Sequence, residues 1–243
     1  MKLKIIITDK DVIKAQSVVH SMQNHPIVKE RYNRNIKRND IILTHNRMWE
    51  RQIGCLLTTR QNSSINSPVH RFIHSRSPLL SLSSCKTKKN LAAFAKKEIE
   101  RFGGIRFATK IGSQIAKNFE ILDKGGWKEI DDMLKLFKKR PQPPAMERQC
   151  AELLAKTLSG FGPKQSRNLL QWLGVTQYEI PIDTRLIKWI KTLGDLNMLT
   201  PSALSDNDYY CAIMDAIIDL CNAAEVFPCI FDASVFASLE KKI

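Results

Sequence analysis

The 243-residue chain is predicted to be all-α, and three observations predict it. Apolar residues recur at helical spacing, as in Leu91, Phe94, Ala95 and Ile99, or Ile111, Ile115 and Phe119. Glycine and proline clusters cut these runs into helix-sized pieces. Strand-like character is confined to Leu3 to Thr8.

The elements follow in order. Residues 1 to 60 read mainly as helix, with Asp9 or Asp11 as the cap of a helix through Ile13 and Val18. Met48 to Leu57 reads as a buried helix that ends in a polar run from Thr58 to Ser64. Residues 62 to 90 are rich in serine and broken by Pro68 and Pro78, so long loops are expected there. Asn90 opens a helix that Gly103-Gly104 stops; the next runs to Gly125-Gly126, and Trp127 to Phe137 is a short amphipathic one. Arg140-Pro141-Gln142-Pro143-Pro144 is a firm break. Met146 to Leu158, Gln165 to Leu173 and Thr184 to Leu193 are the next helices. The last third carries a helix through Ile213, Ile217 and Leu220 and is expected to pack back on the first lobe. Asp215 and Asp219 share a face there, read as solvated surface.

Composition narrows the function. Hydrophobic residues make up 43% of the chain, enough for a real core. The net charge is +14 and the basic residues are spread along the sequence, which suits a folded surface that meets phosphate. No apolar run approaches the roughly 18 residues of a membrane span, and Met1 to Ile7 is too short for a secretory signal. No membrane association is expected. An intracellular site is: the nucleoid-bearing cytoplasm of a prokaryote or the nucleus of a eukaryote. The six cysteines form no C-x-x-C pair and are read as buried thiols. His70 and His74 lack further ligands nearby, so no metal is assigned to them.

The residues that carry chemistry come in the second half. Leu158-Ser159-Gly160-Phe161-Gly162-Pro163-Lys164 is a glycine hairpin between two helices. Glycine allows a tight turn and leaves backbone N–H groups open to an oxygen ligand. The helix that starts here adds a partial positive charge, which suits a DNA phosphate. Gly160, Gly162, Lys164 and Gln165 are the candidate contacts. Asp183 follows Lys164 by nineteen positions, at the N-cap of the next helix, after the loop Gly174 to Ile182.

Leu153 to Ser166, with this loop and Asp183, resembles the helix-hairpin-helix/Gly-Pro-Asp DNA glycosylase superfamily, above all its bifunctional 8-oxoguanine glycosylase/AP lyase branch. The firm match covers about residues 147 to 193 of a single domain, 1 to 243. The resemblance implies two helical lobes with a DNA-binding cleft between them. It implies that Lys164 attacks the deoxyribose C1′ and that Asp183 stabilises the positive charge developing on the sugar. A lysine is nucleophilic only when neutral, so burial beside the hairpin is expected. The partner implied is double-stranded DNA with a damaged or modified base, bound by a monomer without cofactor. A weaker likeness marks Arg60, Gln61 or Asn62 as the residue filling the gap left by an extruded base, register open. Arg106 or Phe107, after Gly103-Gly104, would be the wedge in the opposite strand.

Two departures bear on the branch. Endonuclease III and the adenine glycosylases carry four cysteines after the aspartate; Cys211, Cys221 and Cys229 do not fit that spacing. No iron–sulfur cluster is therefore expected. The chain is also too helical for the β-rich N-terminal domain of the eukaryotic 8-oxoguanine enzyme. Two alternatives stay open: a monofunctional glycosylase, and a non-catalytic helix-hairpin-helix DNA-binding protein. The excised base is not legible.

Overall fold

The computed structural model describes residues 6–39, 41–194 and 198–240. Thirteen α-helices are present among them. In chain order these are α1 (Asp9–Met22), α2 (Pro26–Arg31), α3 (His45–Leu57), α4 (Pro68–Ile73), α5 (Leu82–Lys86), α6 (Leu91–Phe102) and α7 (Ala108–Ile121). Then come α8 (Trp127–Lys139), α9 (Pro144–Thr157), α10 (Pro163–Leu173), α11 (Thr184–Ile190), α12 (Asn207–Ala223) and α13 (Pro228–Glu240). Two π turns, Tyr32–Ile36 and Leu122–Gly126, and two 3-10 turns, Pro78–Leu80 and Ala203–Ser205, complete the set. No strand occurs among the described residues. Of the strand-like start, Leu3, Lys4 and Ile5 lie outside the described residues, and Ile6 to Thr8 have no regular structure.

The chain divides into two compact units. The first is built from the described residues of Met1–Ile41, Arg140–Glu152 and Gly162–Ile243, and the second from Ile42–Lys139 and Leu153–Phe161. In the first unit α13 packs on α1, α2 and α11, and α12 packs on α1. The expected return of the last third onto the N-terminal helices is thus present. Ile182, Leu186, Tyr210, Met214, Ile217 and Phe231 form its core. Asp215 and Asp219 are exposed on α12, and Asp215 pairs with Arg148 at 2.5 Å.

The second unit forms around α3. Its Trp49 is fully buried, donates its indole N–H to the Leu79 carbonyl at 3.1 Å, and meets Phe119 edge-on at 5.8 Å. The predicted apolar stripes face inward: Leu91, Ala95 and Ile99 on α6, and Ile111 and Ile115 on α7, are buried, and the two helices pack together.

Three local expectations change. The cap of α1 is Thr8 rather than Asp9 or Asp11. Asp11 instead accepts from the Thr8 backbone N–H at 3.0 Å and its hydroxyl at 2.7 Å. Those hydrogen bonds hold the Asp11 carboxyl below its usual range. The 62–90 stretch, expected as long loops, carries α4, a 3-10 turn and α5. Its serines are caps: Ser67, Ser77 and Ser81 accept from the amides of His70, Leu79 and Ser84. Pro68 and Pro78 stand at first helical positions, where a missing N–H costs nothing. Serine and proline there start helices rather than prevent them. Finally, α11 stops at Ile190 and a turn follows.

Candidate active site

The hairpin begins where α9 runs out. The Leu158 amide still donates to Leu154 at 3.0 Å, and the Phe161 amide turns back to Leu158 at 3.3 Å. Asn118, fully buried on α7, clamps the bend from both sides. It accepts from the Ser159 amide at 2.6 Å and donates to the Ser159 carbonyl at 3.0 Å. Gly160 has φ +84°, and a Cβ there would stand 2.5 Å from the Gln114 amide and 2.8 Å from Leu56. Only glycine fits.

Gly162 differs from the expectation of two conformationally demanding glycines. Its φ of −110° and ψ of −169° are ordinary extended backbone, and nothing would lie within 4 Å of an added Cβ.

The second helix begins at Pro163, two residues earlier than expected, with Gly162 as its N-cap. Lys164 is therefore the second helical residue, inside the turn whose amides lack intrahelical acceptors. It is half-buried rather than enclosed. Gln165, expected as a DNA contact, is turned inward: it is buried and its Oε1 accepts from Asn168 at 3.2 Å. Its helix phase sends the side chain to the core.

Asp183 caps α11. Its Oδ1 accepts from the amides of Arg185 at 2.8 Å and Leu186 at 3.0 Å. Its Oδ2 stands 4.0 Å from the Arg185 guanidinium, which lies 3.9 Å from the Phe236 ring centroid. Asp232 on α13 is within electrostatic reach. Burial raises its carboxyl, the Asp183 charge raises it further, and Arg31 opposes both. Arg31 and Gln171 each donate to Asp232 at 2.9 Å.

The loop between α10 and α11 is held by buried polar groups. Gly174, at φ +79°, ends α10, and a Cβ there would meet the Arg34 carbonyl at 3.0 Å. Asn35, buried in the first π turn, donates to the Thr176 carbonyl at 2.8 Å. Tyr210 accepts from Ile182 N–H at 2.7 Å and donates to the Ile180 carbonyl at 2.9 Å. Glu179 receives Arg167 at 2.5 Å and Arg148 at 2.8 Å. Arg167 also donates to the Pro163 carbonyl at 3.0 Å. One buried ion pair thus ties the start of α10, which bears Lys164, to the loop that ends in Asp183. Sequence reasoning passed over these residues. Their sole signal was a charge such as Arg167 at the buried phase of a helix.

The remaining candidates gather in the second unit. Arg60, in the turn after α3, has φ +54°, and Phe107, the N-cap of α7, has φ +64°, conformations that side-chain-bearing residues seldom adopt. Gln61 bridges the two loops: it accepts from the Arg106 amide at 2.9 Å and donates to the Leu57 carbonyl at 2.6 Å. The Arg106 guanidinium donates to the Arg60 carbonyl and lies 5.3 Å from the Phe107 ring centroid. Asn62 accepts from Ser64 N–H at 2.9 Å. Gln61 and Asn62 are thus engaged locally, while Arg60, Arg106 and Phe107 are exposed. The described residues contain no group of three or more potential metal ligands. None of the six cysteines is in a disulfide, and all but Cys211 are buried.

No protein-family model and no curated protein sequence matches the chain. Solved structures do. The 8-oxoguanine DNA glycosylase of Thermotoga maritima superposes with a TM-score of 0.66 at 15% identity, over 93% of this chain and 95% of that one. The Methanocaldococcus jannaschii 8-oxoguanine DNA glycosylase gives 0.64 at 13% identity, over 94% of each chain. Its complex with a 15-mer DNA containing 8-oxoguanine gives 0.66 at 12% identity, over 91% and 95%.

The chain has the fold of the 8-oxoguanine DNA glycosylases.

The likeness extends well beyond residues 147 to 193, the stretch on which the motif could be read. The stretch expected to form the helix-hairpin-helix is α9, the Gly160 bend and α10 in the structure, and the loop expected before the aspartate runs from Gly174 to Ile182.

Proposed function

We propose that the protein is a DNA base-excision glycosylase with AP lyase activity, acting on double-stranded DNA that holds a damaged or modified base. The observation that carries this reading is the pairing of Lys164, on the first turn behind the Gly160 hairpin, with the N-cap carboxylate of Asp183 nineteen positions later, in a fold shared with 8-oxoguanine glycosylases.

Chemistry on a base within a duplex requires the nucleotide to be extruded, at a cost of a few kcal/mol. Exposed side chains that enter the stack offset part of that cost. Arg60 and Phe107 are suited to this by exposure and by backbones that Gln61 ties together. The amide-lined start of α10 takes a phosphate, which fixes position without reading sequence.

The neutral Lys164 amine then attacks C1′. The new N–C1′ bond forms as the glycosidic bond breaks, and the departing base takes up a proton. An amine proton passes to O4′ as the C1′–O4′ bond breaks, which leaves a protonated Schiff base; loss of a C2′ proton then forms the C2′–C3′ double bond and expels the 3′ phosphate by β-elimination. Asp183, held by two amides, keeps a negative charge beside the sugar as positive charge develops there.

Borohydride trapping on a duplex containing 8-oxoguanine tests the reading. A covalent adduct that disappears in Lys164→Gln is the expected result. Excision without an adduct would leave a monofunctional glycosylase. No excision over oxidised, alkylated, deaminated and hypermodified bases would overturn the enzyme reading altogether.

A further inference from the structure

Glu147, on the first turn of α9, has no exposure to solvent. Its Oε1 accepts from the Gln177 amide at 2.8 Å. Its Oε2 accepts from the amides of Tyr178 at 2.8 Å and Glu179 at 2.9 Å, and from the Thr176 hydroxyl. Three successive backbone N–H groups therefore converge on one carboxylate, beside a Thr176 hydroxyl that also reaches the Glu179 carbonyl at 2.9 Å. Such an array suits an anion: only an ionised carboxylate accepts from every side.

The donors all belong to the loop that leads into Asp183. Four positions separate Glu179 from Asp183, and Tyr210 binds the intervening Ile180 carbonyl and Ile182 amide. The short segment from residue 179 to the N-cap is thus buried and tied at both Ile180 and Ile182. Other groups face the same carboxylate. Arg38, after the first π turn, favours its charge; the buried thiols of Cys150 on α9 and Cys229 on α13 lie within electrostatic range.

We propose that Glu147 is a positioning residue for Asp183, its carboxylate holding the Thr176–Glu179 backbone in the arrangement that presents the catalytic aspartate. The proposal rests on the glycosylase reading of Asp183, and Glu147 itself touches no reacting atom. Burial pushes the Glu147 carboxyl up to about 7, against the pull of its hydrogen bonds. The clamp is thus set to lose its charge within the range where activity is measured.

The test is Glu147→Gln, which sets an amide donor among these donors. Single-turnover excision is expected to slow at least tenfold while affinity for the lesion duplex changes less than twofold. The wild-type rate is expected to fall below about pH 7 on a limb that the variant lacks. Thr176→Val is expected to shift the rate in the same direction by less, and Thr176→Ser to restore it. Hydrogen exchange supplies a readout free of activity: the amides of 177–179 should exchange at least tenfold faster in Glu147→Gln, with the α12 core unchanged. An unchanged rate, an equal loss of binding, a retained acid limb or a uniform rise in exchange across the unit would overturn the proposal. If the wild-type protein excises no base, the glycosylase reading fails by itself, and exchange at 177–179 still decides whether the clamp exists.

Discussion

The side chain of Gln61 accepts a hydrogen bond from the backbone amide of Arg106 at 2.9 Å, joining two loops separated by 45 positions. The same side chain donates to the Leu57 carbonyl at the end of α3, so it cannot also reach into DNA without giving up both bonds. It ties the end of α3 to the residue before Phe107. Gln61→Ala is expected to cost about 1 kcal/mol of stability, the usual worth of such bonds. It should weaken binding to a duplex with an abasic gap more than binding to intact duplex. Paired binding titrations on the two duplexes check this; equal losses would remove the loops from the extrusion step.

Asp183 serves as a cap and as a charge, and two substitutions separate these. Asparagine caps a helix about as well as aspartate, whereas alanine costs about 1 kcal/mol. Asp183→Asn should therefore keep the denaturation midpoint and lose about 100-fold in excision rate. Asp183→Ala should lose both. Urea unfolding beside single-turnover kinetics distinguishes the two, and full activity in Asp183→Asn would make the residue a cap alone.

Arg167 and Glu179 form an ion pair with no solvent exposure on either side chain. Breaking such a pair leaves a buried charge without its partner, at roughly 3–5 kcal/mol. Glu179→Gln should lower stability by about that amount, softened by what Gln retains. Arg148 keeps its second partner, Asp215. Chemical denaturation at neutral pH gives the number, and a loss below about 1 kcal/mol would mean that Arg167 finds another acceptor.

Stability should depend on pH through Glu147. Its native carboxyl titrates at about 7, against an ordinary 4.5. Between these values the native state binds the proton more than the unfolded state does. The contribution of this group is therefore full below about pH 4.5, falls as pH rises towards 7, and is level above it. The melting temperature of the wild type relative to Glu147→Gln should fall from about pH 4.5 to 7 and stay level from there to pH 8. Parallel curves would assign the pH dependence elsewhere.

With a net charge of +14, binding to undamaged duplex should weaken steeply with salt. The logarithmic slope divided by about 0.9 counts the phosphates neutralised. A flat response would contradict a phosphate-binding surface.

Much of this was open to reading along the chain. Helices α3, α6, α7, α10 and α12 follow from apolar spacing, because a periodic stripe is a local property that one face of the core must satisfy. The Gly160 hairpin, Lys164 and the capping Asp183 stand within 26 consecutive residues, so their motif survives without any knowledge of distant contacts. The serines of 62–90 show the limit of local reading: composition named the residues, but whether each serine caps a helix or a loop depends on what the next turn buries.

What the sequence alone determined was an all-α, strongly basic chain with a lysine and an aspartate in fixed succession. What only the tertiary structure decided was which polar residues hold that pair in place. Glu147 meets the 176–179 loop, Asn118 the Ser159 bend, and Gln61 the Arg106 amide, each across 29 or more positions. These are bonds from a side chain to remote groups, mostly backbone. A backbone amide is the same for every residue type, so such a partnership leaves no mark on the partner's sequence and exists only once the chain has folded.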